Sequence, residues 1–314
     1  MKLAFLFPGQ GAQRVGMGAE LVREFAPARR VFEEADAVLG FPLSSLCFEG
    51  PEEKLRLTEN TQPATLATSI AALRVFEAEC GLSPAVAAGH SLGEYSALVA
   101  AGALNFADAI AAVRERGRLM QQACPAGEGT MAALVGLDMP AVEAVCAEVS
   151  TDKELAVPAN LNAPGQVVIS GHTSAVRRAV ELAKSRGGAG SMELKVSAPF
   201  HCPLMRPARE GLMAVLERIA INPLRFGVIA NVTAEVNLES ERVKPLLLEQ
   251  VTAPVRWEES MTRMAQLGVT DAIEFGEGRV LGGLMRRINR SIKVHSASDP
   301  KSVRATIQAL SALA

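Results

Sequence analysis

A serine in a glycine-rich turn is the first residue of this sequence whose surroundings suggest covalent chemistry. Ser91 stands in the run Gly89-His-Ser-Leu-Gly93, which follows the strand-like stretch Pro84–Ala88 and precedes the helical stretch Glu94–Ala101. A sharp turn from strand to helix crowds the backbone, so glycine is favoured two positions before and after the central serine. The turn also places the N–H of Leu92 at a helix N-terminus, where it can receive an oxyanion. Ser91 is therefore predicted to be a nucleophile.

A serine hydroxyl needs a base, and the sequence offers four histidines. His90 would point away from Ser91 on a tight turn, which favours a packed or supporting role, and His172 lies in a predicted loop and is expected at the surface. His295 lies late in the chain, where an ordinary α/β-hydrolase carries its base. His201 lies where a small subdomain is predicted to rejoin a larger one, and clefts form at such junctions. Position favours His201, with His295 as the alternative.

One arginine is predicted to be buried. On a helical wheel over residues 106–122, Arg116 falls within an apolar arc, whereas Arg114 and Arg118 fall outside it and are expected on the solvated face. The arc consists of Phe106, Ala109, Ile110, Val113, Gly117 and Met120. An unpaired buried guanidinium is costly, so Arg116 needs an anion in bidentate contact. Its partner is either an internal Asp or Glu or the substrate.

The predicted elements follow the order of an α/β protein with an inserted subdomain. Strands and helices alternate in residues 1–125 and 198–314, which predicts a large subdomain with a mostly parallel sheet. Residues 126–197 instead follow the order βαββαβ, which is the ferredoxin-like pattern. The predicted strands of this insert are 131–136, 155–161, 166–170 and 191–196, with helices over 140–149 and 174–184. Elsewhere we predict strands over 3–7, 84–88, 226–230 and 271–275, and helices over 62–79, 106–124 (capped by Asn105), 204–219, 257–266 and 280–288.

Composition excludes several classes of function. The chain has 314 residues, 49% of them hydrophobic, and a net charge of −2, which gives no general attraction to nucleic acid or to an anionic membrane. No apolar stretch of about 18 residues could span a bilayer, and five cysteines without a CxxC pair suit a reducing compartment. The sequence lacks the H-E-x-x-H, Walker and G-x-G-x-x-G motifs. We expect a cytoplasmic protein without a metal or a bound cofactor.

Further motifs occur in a set order along nearly the whole chain. They are Phe7-Pro-Gly-Gln-Gly-Ala-Gln13, Gly89-His-Ser-Leu-Gly-Glu-Tyr-Ser-Ala97, Arg116-Gly117 with Met120-Gln121, Asn160-Leu-Asn-Ala-Pro-Gly-Gln166, Val196-Ser-Ala-Pro-Phe-His-Cys-Pro-Leu-Met205, Gln250 with Pro254-Val-Arg-Trp257, and Phe275-Gly-Glu-Gly-Arg-Val-Leu281. Together they resemble the bacterial malonyl-CoA:acyl carrier protein transacylases, and more distantly the acyltransferase domains of fatty acid and polyketide synthases. One position departs from the resemblance: Glu277 stands where proline is common, which affects only the local loop.

The resemblance implies a fold and a set of roles. It implies a hydrolase-like large subdomain, with Ser91 as nucleophile and His201 as base. The backbone N–H groups of Gln10 and Leu92 would form an oxyanion hole, and Arg116 would grip the malonyl carboxylate.

Four further residues are implied to support this site. A backbone carbonyl near Gln250 would orient the histidine, so no acidic third member is needed. His90, Asn160 and Gln166 would have supporting positions around it.

The implied activity is transfer of a malonyl group from malonyl-CoA to acyl carrier protein for fatty acid synthesis. Three alternatives remain: loading of polyketide carrier proteins, a serine thioesterase or esterase that uses Ser91 and His295, and a docking module without activity. The carrier is expected to be acidic, so a basic patch should lie near the cleft. Its candidates are Lys195, Arg206, Arg286 and Arg287.

Overall fold

The computed structural model describes residues 1–125, 127–194, 196 and 198–312. Its strands are β1 (Leu3–Phe7), β2 (Val86–Gly89), β3 (Gly129–Val135), β4 (Ala156–Ala163), β5 (Gln166–His172), β6 (Met192–Glu193), β7 (Gly227–Ile229), β8 (Val236–Asn237), β9 (Asp271–Phe275) and β10 (Lys293–Ala297). Its helices are α1 (Ala19–Glu24), α2 (Ala26–Leu39), α3 (Leu43–Glu49), α4 (Glu52–Leu55), α5 (Thr58–Glu79), α6 (Gly93–Ala100), α7 (Phe106–Gln122), α8 (Met139–Val149), α9 (Thr173–Ser185), α10 (Arg206–Glu217), α11 (Ser240–Gln250), α12 (Trp257–Gln266), α13 (Val280–Ile288) and α14 (Pro300–Ser311). A short 3-10 helix, Pro203–Met205, precedes α10.

The larger sheet has the strand order β10-β9-β1-β2-β7-β8. Its strands pair in parallel except β8, which is antiparallel to β7. Every residue of β1 is buried, as expected for a strand whose sheet is covered on both faces by helices. Phe7 and Gly89, the last residues of β1 and β2, are directly paired. The loops that carry Gln10 and Ser91 therefore leave the sheet side by side.

The smaller sheet has the strand order β4-β5-β3-β6 and is antiparallel throughout. Helices α8 and α9 pack on it around a separate apolar core. The observed order βαββαβ confirms the ferredoxin-like prediction, and the mostly parallel larger sheet confirms the α/β fold class. Residues 126 and 197, the predicted boundaries of the insert, lie outside the described residues, so that division of the chain stays a prediction.

Helix α5 differs from its prediction because it begins at Thr58 rather than at Gln62. Pro63 therefore lies inside the helix, where it has no N–H to donate to the carbonyl oxygen of Glu59. Arg114 from α7 donates to that oxygen at 2.9 Å. The expectation that Arg114 would be solvated is wrong, because it compensates for a proline on the neighbouring helix.

Two helix starts also depart from the sequence prediction. Asn105 occupies the N-cap position of α7, but its side chain makes no capping hydrogen bond, so the predicted cap is wrong. The helix predicted over 204–219 begins as the 3-10 turn and becomes α-helical only at Arg206, with a proline in its first turn. In the part of the chain that the structure describes, no helix combines the length and the apolar character needed to cross a membrane.

Candidate active site

Ser91 lies in a tight turn between β2 and α6, at the carboxyl edge of the larger sheet. Its φ of 53° is in the left-handed region that non-glycine residues rarely adopt. A Cβ on Gly89 would lie 1.9 Å from the carbonyl oxygen of Gly93, and a Cβ on Gly93 would lie 2.2 Å from that of Phe7. The glycines are therefore required by close backbone approach. The turn has the geometry of a nucleophile elbow, and Ser91 lines a cavity.

His201 meets Ser91 from the other side of this cavity. Its Nε2 lies 2.7 Å from Ser91 Oγ, and its Nδ1 lies 2.8 Å from the backbone oxygen of Gln250. Because a carbonyl only accepts, Nδ1 carries the proton and Nε2 is free to accept the serine O–H. Burial, helped by the nearby charge of Arg116, lowers the pKa of His201 to about 3. The imidazole is thus neutral at physiological pH and able to act as a base.

Arg116 extends from α7 into the same cavity and is 1% exposed. Its Nη2 donates to Ser91 Oγ at 3.1 Å and to Gln250 Oε1 at 2.9 Å, and its Nη1 donates to Gln62 Oε1 at 2.8 Å. Burial lowers the pKa of Arg116 below its usual value. These partners are amides and a hydroxyl rather than a carboxylate, and Nε has no hydrogen-bond partner among the described residues. The guanidinium therefore retains capacity for an anionic ligand.

A buried polar network that the sequence reasoning missed lies behind these three residues. Asn231 Oδ1 accepts the backbone N–H of Ser91 at 2.7 Å, and its own backbone N–H donates to Glu94 Oε2 at 3.0 Å. Gln250 Nε2 donates to the same carboxylate oxygen at 2.8 Å. Burial raises the pKa of Glu94 to about 7, although its hydrogen bonds and Arg116 oppose that rise. Glu94 is the single charged residue of the buried helix α6, and this was a signal that could have revealed the network.

The cavity that these side chains share has a volume of about 500 Å³. Gln10, which follows β1, and Leu92, at the start of α6, also line it. Apolar side chains form one part of the wall, namely Met120, Met131, Leu194, Val196 and Phe200, and the polar side chains of Gln13 and Arg56 also line it. A serine with a neutral base, a buried cation and backbone groups at a helix start can form a covalent ester with an acyl chain that carries an anionic group.

The whole chain is similar to known acyltransferases. The sequence profile of the acyl transferase domain matches residues 4–276. The malonyl CoA-acyl carrier protein transacylase of Bacillus subtilis (strain 168) is 51% identical over 309 residues, which cover 98% of this chain and 97% of that protein. The chain belongs to the malonyl CoA-acyl carrier protein transacylase family.

Solved structures of the family have the same fold. The malonyl CoA-acyl carrier protein transacylase of Coxiella burnetii superimposes with a TM-score of 0.96 at 39% identity, covering 98% of this chain and 97% of that one. A malonyl-transacylase solved in complex with a type II PKS acyl-carrier protein has a TM-score of 0.96 at 42% identity, covering 98% of this chain and 100% of that one. The predicted family resemblance is confirmed.

Besides Gln250, three residues were predicted to support the site, and only two of them, His90 and Asn160, line the cavity. His90 Nε2 lies 2.9 Å from Asn162 Oδ1, so Asn162, which the sequence reasoning did not single out, is its partner. Asn160 lines the cavity, and its buried Oδ1 has no hydrogen-bond partner among the described residues. Gln166 begins β5, where it pairs with Val135 in the small sheet, and it is not one of the cavity-lining residues.

The other two histidines have structural positions. His295 lies on β10, where its Nε2 is 2.9 Å from Asp271 Oδ1, and it does not line the Ser91 cavity. His172 ends β5, where it pairs with Gly129, and its Nδ1 accepts the backbone N–H of Leu155 at 3.0 Å, so the prediction of a loop position is wrong. The alternative in which His295 serves Ser91 therefore lacks the required contact.

Two remaining predictions concern metal and surface charge. Among the described residues, no three His, Cys, Asp or Glu side chains are grouped so as to hold a metal ion. Lys195 lies outside the described residues, whereas Arg206, Arg286 and Arg287 are exposed. The basic patch stays a prediction. Glu277, the residue that departs from the family pattern, forms an ion pair with Arg14 at 2.7 Å and joins two loops at the sheet edge.

Proposed function

We propose that the protein transfers the malonyl group of malonyl-CoA to the phosphopantetheine thiol of an acyl carrier protein through a malonyl ester on Ser91. One observation carries the proposal: a serine lies 2.7 Å from a neutral histidine and 3.1 Å from a buried arginine that has no carboxylate partner. The similarity to proteins named malonyl CoA-acyl carrier protein transacylase supports the same reaction.

In the first half-reaction, His201 Nε2 takes the proton of the Ser91 hydroxyl while Oγ attacks the thioester carbonyl. The N–H groups of Gln10 and Leu92 would receive the oxyanion of the tetrahedral intermediate, each contributing about 3 kcal/mol. The intermediate collapses with cleavage of the C–S bond, and the departing CoA sulfur takes the proton from His201. Malonyl-Ser91 and free CoA remain.

The second half-reaction reverses these roles. The thiol of the carrier's phosphopantetheine gives its proton to His201 Nε2, and its sulfur attacks the malonyl ester. Ser91 Oγ leaves and recovers the proton from His201. Each half-reaction balances without a metal or a redox cofactor, and the kinetics are expected to be ping-pong.

Arg116 provides the basis for substrate selection. The free carboxylate of the malonyl group would pair with the guanidinium, whose present partners are neutral. An acetyl group would leave the buried cation without an anion, which disfavours acetyl-CoA.

We propose that the reaction supplies fatty acid synthesis in the cytoplasm. Loading of polyketide carrier proteins is a second candidate, and one observation favours it: a 42% identical relative was solved in complex with a type II PKS acyl-carrier protein. Transfer assays with a fatty acid carrier and a polyketide carrier, compared by kcat/KM, would distinguish the two tasks. A preference of tenfold or more for one carrier would decide between them.

The reaction itself is tested by mass spectrometry of the protein after brief exposure to malonyl-CoA. We expect one added malonyl group on the peptide that contains Ser91, its transfer when holo carrier protein is added, and no adduct in Ser91→Ala. An adduct that persists in Ser91→Ala would contradict the assignment of the nucleophile. Release of free malonate instead of transfer to the carrier would indicate a hydrolase.

A further inference from the structure

Glu94 is a buried carboxylate to which the mechanism above gives no role. It lies on α6, three positions after Ser91, and is 3% exposed. A carboxylate in such a place is costly unless hydrogen bonds compensate for the lost water. The residues that donate hydrogen bonds to Glu94 therefore indicate its role.

Two donors reach the same oxygen of Glu94, Oε2. The backbone N–H of Asn231 donates at 3.0 Å, and the side-chain amide of Gln250 donates at 2.8 Å. These donors come from the loop after β7 and from the last residue of α11, so Glu94 joins three separate segments of the larger subdomain. One oxygen thus fixes two residues that lie far from it in the sequence.

The two residues held by Glu94 contact the nucleophile, the base and the arginine. Gln250 accepts from His201 Nδ1 on its backbone oxygen and from Arg116 on its side-chain oxygen. Asn231 accepts the backbone N–H of Ser91 on Oδ1 and donates from Nδ2 to the oxygen of Gly89 at 2.7 Å. Nucleophile, base and arginine are each one hydrogen bond away from a residue that Glu94 holds.

We propose that Glu94 is a positioning residue for malonyl transfer: its Oε2 locks Asn231 and Gln250, which in turn set the relative positions of Ser91, His201 and Arg116. The inference rests on the proposed function and adds to it the residue on which the geometry of the site depends. Glu94 does not touch the substrate in this role. Its effect is on the rate constant of acylation, because a misplacement of about 1 Å at a reacting group can lower a rate about 100-fold.

Two conservative variants separate the hydrogen bonds from the charge. Glu94→Gln can keep both bonds, since its amide oxygen can occupy the place of Oε2, but it loses the negative charge. Glu94→Asp keeps the charge but withdraws the oxygen by one methylene. We expect Glu94→Asp to form malonyl-Ser91 about 100-fold more slowly than the wild type, and Glu94→Gln to lie within about tenfold of it.

Glu274 provides the matched control. It is also a buried carboxylate of the larger subdomain and accepts two backbone N–H groups, from Leu281 at 3.0 Å and Gly282 at 2.9 Å. It does not line the Ser91 cavity. Glu274→Gln should lose stability at most and keep the acylation rate constant per folded molecule.

The measurement is a rapid-quench burst of malonyl-Ser91 followed by mass spectrometry. A merely structural role would lower the burst amplitude, which counts competent molecules, whereas a positioning role lowers the burst rate constant. Equal rate constants for Glu94→Asp and the wild type, or a slower Glu94→Gln than Glu94→Asp, would overturn the proposal.

Failure of the proposed function is recognised separately. If the wild type forms no malonyl-Ser91, the same variants are compared by the rate at which a fluorophosphonate probe labels Ser91. That reaction needs the Ser91–His201 geometry but no malonyl group. The order wild type, Glu94→Gln, Glu94→Asp is again expected, and an unchanged labelling rate in Glu94→Asp would refute the positioning role.

Discussion

Two imidazoles, those of His201 and His295, have different surroundings: the first is buried and the second is partly buried. His201 bonds a serine hydroxyl through Nε2 and a backbone carbonyl through Nδ1. His295 bonds the carboxylate of Asp271, the partner that hydrolase histidines usually have. Even so, only His201 touches a hydroxyl at the mouth of a nucleophile elbow. An acid–imidazole pair is therefore no sign of a catalytic base unless a nucleophile and a substrate cavity accompany it.

The cavities beside these two histidines differ in the charged side chains that line them. The one beside His295 has a volume of about 640 Å³, comparable to the 500 Å³ or so beside Ser91, and it is lined by the exposed cations Arg279, Arg286, Arg290 and Lys293. Of these cations only Lys293 lies on β10, the edge strand of the sheet, where a charged side chain discourages pairing with other chains. The cavity beside His201 is lined by the buried cation Arg116 and by one exposed cation, Arg56. Chemistry rather than volume distinguishes the two.

Substitution of His201 is expected to cause the largest change, a loss of acylation rate that substitution of His295 should not cause. His201→Ala should lower the rate of malonyl-Ser91 formation about 1000-fold, because the general base is lost, whereas His295→Ala should leave that rate unchanged. Single-turnover kinetics with malonyl-CoA measure both. A comparable loss in His295→Ala, at equal folded fraction, would abolish the distinction between the two regions.

Substitution of the buried cation Arg116 should cause the next largest change, in kcat/KM and in substrate preference. Arg116→Ala is expected to lower kcat/KM for malonyl-CoA about 100-fold and to reduce the preference for malonyl-CoA over acetyl-CoA, because the charged hydrogen bonds to the substrate are lost. Arg118→Ala is the control, since Arg118 lies on the same helix, forms an ion pair with Glu115 and lies outside the cavity lining. An unchanged malonyl preference in Arg116→Ala would remove the guanidinium from the acyl site.

Stability should depend on pH through the carboxylate behind His201. Burial raises the pKa of Glu94 to about 7 from a usual value of 4.5, so the folded protein binds this proton more tightly than the unfolded chain does. The resulting stabilisation is complete below about pH 4.5 and is lost as the pH rises through about 7, up to about 3 kcal/mol. Urea unfolding of the wild type and Glu94→Gln at several pH values should show their difference changing across this window. A constant difference would contradict the shift.

The smallest expected effect is a loss of stability on substitution of His295. His295→Ala removes one of the two side-chain partners of the buried carboxylate of Asp271, the other being the Thr270 hydroxyl, and should lower the free energy of unfolding by about 1–3 kcal/mol. Urea unfolding measures this loss, and activity per folded molecule should stay at the wild-type level. A stability equal to that of the wild type would mean that the pair contributes nothing to the fold.

Local patterns predicted much of the fold. The helices Trp257–Gln266 and Val280–Ile288 and the strand Asp271–Phe275 begin and end where predicted, because clear apolar periodicity and nearby turns delimit them. Predictions failed where another element intervened. Helix α5 begins at Thr58, more than a turn before Pro63, because Arg114, from a different helix, donates to the carbonyl that the proline leaves free.

The sequence by itself determined the elbow around Ser91 and the inward direction of Arg116, because steric crowding at glycines and the period of a helix are local properties. The tertiary structure decided which histidine contacts Ser91 and which residues hold the serine and that histidine in place. Those contacts join positions 110, 140 and 159 residues apart in the chain. No short pattern in the sequence specifies such distances, since only the packing of the two sheets and their helices brings these segments together.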